Sequence, residues 1–180
     1  DLRGALRCVE TVLEIGSDSL EVWGRSARAM LRARLLGENA AALAELDGLE
    51  ERATGEVRAM IRAWRAECLF DHGDPASALI CIEQVREDAA QVARRLLDPA
   101  NAVAARILAR LGRVDEARSR LTGLARVGDR VARATFELAD AEIALAAGDS
   151  TELLAALARA EALLPRESLG RRYLELRRST

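Results

Sequence analysis

The 180-residue chain is half apolar and 3% aromatic, and its 29 acidic and 27 basic residues leave a net charge of −2. That balance excludes the positive surplus of a nucleic-acid or anionic-membrane binder, and the length suits one substantial core without requiring a second domain. Cys8, Cys68 and Cys81 are odd in number and lack metal-ligand spacing, which argues against a disulfide framework and for a reducing compartment. No run approaches the roughly 18 apolar residues of a membrane helix and no signal segment opens the chain, so the expected location is cytoplasmic. Every basic residue apart from the single histidine is arginine, which in an Ala- and Leu-rich chain reads as the coding bias of a GC-rich bacterium.

The predicted elements are all helical. Strand-type alternation is absent, and Pro75, Pro99 and Pro165 all suit helix starts or turns. Residues 2–15 hold Ala5 and Leu6 in the register of Ala42 and Leu43, and read as the second helix of a unit whose first helix is missing; the chain is thus expected to be an excised segment of a larger protein. Over 18–36, Leu20, Trp23, Ala27, Met30 and Ala33 recur at three and four, which places one buried stripe on a helix stopped by Gly37. Residues 39–53 carry Ala42, Leu43, Leu46 and Leu49 on one face. Residues 56–72 form the next helix, and Pro75 opens a partner that buries Ala78, Leu79, Ile82 and Val85 and runs to about Leu96. Asp98-Pro99 is a good cap and first-turn pair, so the following helix is expected to start there; an unbroken helix over about 90–111, kinked at Pro99, is the rival. A helix through Leu121 and Leu124 comes next, then 129–147 and 150–164, and finally a terminal helix over 166–178.

Glycines punctuate this order at a fixed period. Gly37, Gly73, Gly112 and Gly148 stand 36, 39 and 36 residues apart, and five residues after each come Ala42, Ala78, Ala117 and Leu153. Such a period predicts helix pairs at 18–53, 56–97, 98–127 and 129–164, stacked into a single domain over 1–180 with one elongated core and a long exposed groove.

Catalytic chemistry finds few candidates. His72 lies in a helix-ending turn between Asp71 and Asp74, where imidazole favours the last carbonyls, and no metal motif or phosphate loop accompanies it. Glu50-Glu51 and Glu87-Asp88 are adjacent on helices and point apart. The chain therefore reads as a non-enzyme without metal or cofactor. Arg94-Arg95, Arg171-Arg172 and Arg177-Arg178 lack interleaved aromatics, so direct nucleic-acid binding is not expected of this segment, nor is membrane binding. Ile80, Cys81 and Ile82 would favour self-association if they projected outward together.

The turn Gly112-Arg113-Val114-Asp115-Glu116-Ala117, with Gly73-Asp74-Pro75-Ala76-Ser77-Ala78 and Gly148-Asp149-Ser150-Thr151-Glu152-Leu153, resembles the tetratricopeptide repeat. In that family a glycine turn precedes an alanine that lets two helices approach closely. The resemblance implies a right-handed superhelix of antiparallel helix pairs, an α-solenoid. Its long Ala-Leu-Arg-rich repeats are also similar to the helical sensor regions of large bacterial regulators, among them maltose-regulator-type activators and adenylate-cyclase-like or ATPase-coupled signalling proteins.

On this resemblance the first helix of each pair lines a concave groove. The groove candidates are Arg28, Leu31 and Arg34 in the first full unit, Met60, Glu67 and Phe70 in the second, Arg106 and Arg110 in the third, and Glu142 in the fourth. Arg34, Arg106 and Arg110 would clamp an acidic peptide end, while Leu31, Met60 and Phe70 would take an apolar side chain. Solvated ion pairs are the plainer alternative for each charged position. The expected function is a non-catalytic scaffold for a protein or peptide partner; the alternative is a sensor or oligomerisation arm of a bacterial transcription or signalling regulator.

Overall fold

The computed structural model describes residues 2–16, 18–87, 94–126, 128–164 and 176. Among the described residues the chain is all-α, with nine helices and no strand: α1 (Leu2–Glu14), α2 (Asp18–Leu36), α3 (Asn39–Glu50), α4 (Gly55–His72), α5 (Pro75–Glu87), α6 (Arg94–Arg110), α7 (Val114–Leu121), α8 (Arg130–Ala147) and α9 (Ser150–Leu163). None of them is long and apolar enough to cross a membrane.

The period-setting glycines end helices for a backbone reason. Gly37, Gly73, Gly112 and Gly148 take φ of 71°, 97°, 77° and 72°, a left-handed conformation that strains any residue with a Cβ. At Gly73 the glycine N–H donates to the Phe70 carbonyl at 3.1 Å and the Asp74 N–H to the Leu69 carbonyl at 2.9 Å. The same crossed pair recurs at Gly112 and Gly148, so three helix ends satisfy their last carbonyls identically. The next helix then starts on an aspartate in two of these turns. Asp74 accepts from the Ser77 N–H and Asp149 from the Glu152 N–H, both at 3.0 Å. Asp129 opens α8 by accepting from the Ala132 N–H at 2.8 Å.

Each helix packs on the next in the chain, and the even helices also touch one another in series, α2 on α4, α4 on α6 and α6 on α8. The core divides accordingly. Val9, Ala27 and Leu31 join α1 to α2; Ala33, Leu46 and Ile61 join α2, α3 and α4; Phe70, Ile82 and Ile107 join α4, α5 and α6. Leu108, Ala117 and Phe136 join α6, α7 and α8, and Leu138, Leu153 and Leu157 join α8 to α9. The residue five places after each period glycine is buried: Ala42 is 4% exposed, Ala78 and Ala117 0%, and Leu153 2%. α6 sits in the middle of the series and is buried without a break from Ala102 to Ala109. Gly24 marks a close approach of α1 and α2, since a Cβ there would lie 2.9 Å from a methyl of Leu13.

Several expectations need correction. α6 does not begin at Asp98-Pro99 but at Arg94, with Pro99 inside the helix, closer to the rival reading. Leu96 and Leu97 pack onto the cluster shared with α4 and α5, and that burial outweighs the backbone hydrogen bond Pro99 cannot make. Leu96, expected to close the preceding helix, instead lies in α6, while the described part of α5 runs to Glu87. α7 stops at Leu121, short of 127; Leu124 still packs against the core from the loop. Ala5 is exposed, unlike Ala42. The terminal helix expected over 166–178 lies outside the described residues except for Leu176, which is helical and fully buried against α8 and α9.

Candidate functional site

Facing positions on the even helices create the polar face of interest. Arg34 of α2 and Glu67 of α4 form an ion pair across their seam, each side chain less than one-fifth exposed. The attraction of Glu67 holds the Arg34 guanidinium above its usual pKa, against the opposing effect of burial. One seam further, Arg106 of α6 lies over the ring of Phe70 of α4, its guanidinium carbon 5.2 Å from the ring centroid. Arg106 is 6% exposed, and its Nε is buried without an acceptor. Among the described residues Arg106 forms no ion pair or hydrogen bond. A cation–π contact is worth about 0.5–2 kcal/mol, less than the several kcal/mol that an uncompensated buried cation costs.

The expected groove is thus brought together only in part. Arg34 meets Glu67 and Phe70 meets Arg106, whereas Arg28 turns to α3, where its Nη2 donates to Glu45 at 2.8 Å. Leu31 and Phe70 belong to the apolar clusters rather than to an open lining, at 5% and 6% exposure. Met60 is half-buried, Arg110 exposed, and Glu142 buried and already engaged. No protein-family model, curated protein or solved structure matches the chain.

Elsewhere the charged side chains mostly neutralise one another. A cleft of about 470 Å³ on α3 and α4 is lined by Asp47, Glu50, Glu51, Arg58, Arg62 and Arg65, with Glu50 accepting from both Arg62 and Arg65. A second cleft of about 340 Å³ includes Arg126 and Asp140, which meet at 3.0 Å, beside Glu152. Arg159 bridges Glu137 at 2.6 Å and Glu152 at 2.7 Å, and these carboxylates raise its pKa. Sequence reasoning missed these networks, because spacings such as Glu50 to Arg62 cross a turn and show no helical period.

The remaining chemical candidates separate. No group of three or more His, Cys, Asp or Glu side chains able to hold a metal occurs among the described residues, and His72 is exposed at the end of α4. The outward strip of Ile80, Cys81 and Ile82 does not form: Ile80 is 67% exposed, but Cys81 and Ile82 face the core at 5% and 0%. The Cys81 thiol donates to the Arg62 carbonyl at 3.3 Å. Burial pushes the Cys68 thiol up to about 12 and the Cys81 thiol up to about 11. At pH 8 a thiol-alkylating reagent is therefore expected to label exposed Cys8 promptly and to spare Cys68 and Cys81 until the protein unfolds, as read by peptide mass spectrometry. Equal labelling of all three in the native protein would contradict this packing.

Proposed function

We propose that this chain is a non-catalytic scaffold that holds a peptide or protein partner along the seams of its even helices, in the manner of a tetratricopeptide-like α-solenoid. One observation carries the reading: the seam between α4 and α6 holds a buried cation that the described residues leave without a carboxylate, and α6 adds an exposed one, Arg110, one turn further on. Most buried charges are matched within a fold, so an unmatched one in a seam marks a surface that a second molecule completes. Cytoplasmic location and membership of a larger regulator belong to the same proposal.

Affinity capture from the native lysate tests it, with the protein beside an Arg110→Glu variant. A partner held by the first and lost from the second supports the scaffold; no partner held by either overturns it. A second reading, an oligomerisation arm, draws on Ile15, Leu20 and Trp23, which are 76%, 46% and 39% exposed near the junction of α1 and α2. Capture of the parent protein alone, with a dimeric mass by light scattering, would favour that arm.

A further inference from the structure

Arg106 distinguishes itself from the other interhelical arginines by what it lacks. Arg28 pairs with Glu45, Arg34 with Glu67, Arg62 with Glu50, Arg120 with Glu83 and Arg126 with Asp140, each across two helices or a turn. Among the described residues Arg106 has only the Phe70 ring. Its Nε is buried without an acceptor, and the residue as a whole is 6% exposed. A guanidinium so placed lacks the carboxylate fork that its paired Nη atoms fit.

We propose that Arg106 is the anchor for an acidic side chain of the bound partner, and that with Arg110 it reads two carboxylates two residues apart in an extended peptide; this rests on the scaffold reading above. The spacing comes from α6 itself. Arg106 and Arg110 are one helical turn apart on one stripe, with roughly 5–6 Å between their Cβ atoms. Alternate residues of an extended chain advance about 6.7 Å on one side, which matches an acidic-x-acidic segment. Of the two cations, Arg106 dominates, because charge-assisted hydrogen bonds gain strength with burial and Arg110 is exposed.

Fluorescence anisotropy tests this with the full chain and labelled, end-capped peptides that carry Glu-Gly-Glu or Gln-Gly-Gln. The Glu peptide is expected to bind at least about ten-fold tighter than the Gln peptide. Arg106→Met should abolish that difference while keeping native helicity and melting temperature, since the variant removes an uncompensated charge and retains the apolar contact to Phe70. Arg110→Ala should weaken binding less. Equal affinity for the two peptides, undetectable binding of both, or an unchanged preference in Arg106→Met would overturn the anchor. Displacement of the Glu peptide by millimolar inorganic phosphate, lost in Arg106→Met, would reassign the site to a free anion and overturn the peptide. A cell partner captured equally by the protein and by Arg106→Met removes the anchor but leaves the scaffold standing; a partner captured by neither removes the scaffold.

Discussion

Phe136→Ala is expected to destabilise the protein by about 3–5 kcal/mol, the largest loss of any single truncation considered. Phe136 is 0% exposed and sits where α6, α7 and α8 meet, among Ala102, Ala105, Leu108, Ala117, Ala139 and Ile143. Four of these six neighbours are alanines, whose methyl groups cannot swing into the space left by a phenyl ring. The cavity therefore persists, and the cost falls toward the upper end of the range for such truncations. Arg126, 5.9 Å from the ring centroid, would also lose the aromatic face but keep Asp140. Urea unfolding followed by circular dichroism reads the effect, and a Tm lower by roughly 6–20 °C should accompany it. A change below about 1 kcal/mol would show that the three helices are not packed as described.

Ala78→Trp tests the opposite limit, an excess of volume in a fully buried position between helices. Ala78 is 0% exposed on α5, within the cluster that includes Ala59, Ala66, Phe70 and Ile107. An indole there forces α5 off α4 or displaces Phe70, at a cost of about 1–3 kcal/mol or more. Ala117→Trp, equally buried, should cost less because α7 spans only eight residues and can lift from α6 with fewer lost contacts. Matched thermal melts of the two variants decide the ordering. An unaltered melting temperature for Ala78→Trp would mean that α5 is held loosely.

The helices were legible because their stops are backbone events. A glycine with positive φ followed five residues later by a small buried residue leaves a direct trace in the sequence, as at Gly73 and Ala78. Pro99 misled for the opposite reason: its local preference for a first turn is genuine, but Leu96 and Leu97 pull the preceding residues into the helix, and burial of that kind is visible only after folding. The polar face was half legible. Register put Arg34, Glu67, Phe70 and Arg106 on one expected face but not which of them would meet, since the seams join positions three residues out of register, Arg34 with Glu67 and Phe70 with Arg106. It could not show that Arg28 prefers Glu45, because that choice depends on how far α3 leans toward α2, nor that Arg106 lacks a carboxylate, because that depends on all side chains within reach.

The division of the core, among the described residues, into five clusters, each shared by helices adjacent or next but one in the chain, bears on how the molecule is built in time. Closing any one cluster brings together segments a few tens of residues apart, so the loop entropy spent before a contact forms is small. Low contact order of this kind goes with rapid folding, in microseconds to milliseconds for helical proteins. Leu46 and Ile61 can pack before Phe136 has left the ribosome, and α6, buried from both sides, becomes the step that couples the helices already formed on its N-terminal side to α7, α8 and α9.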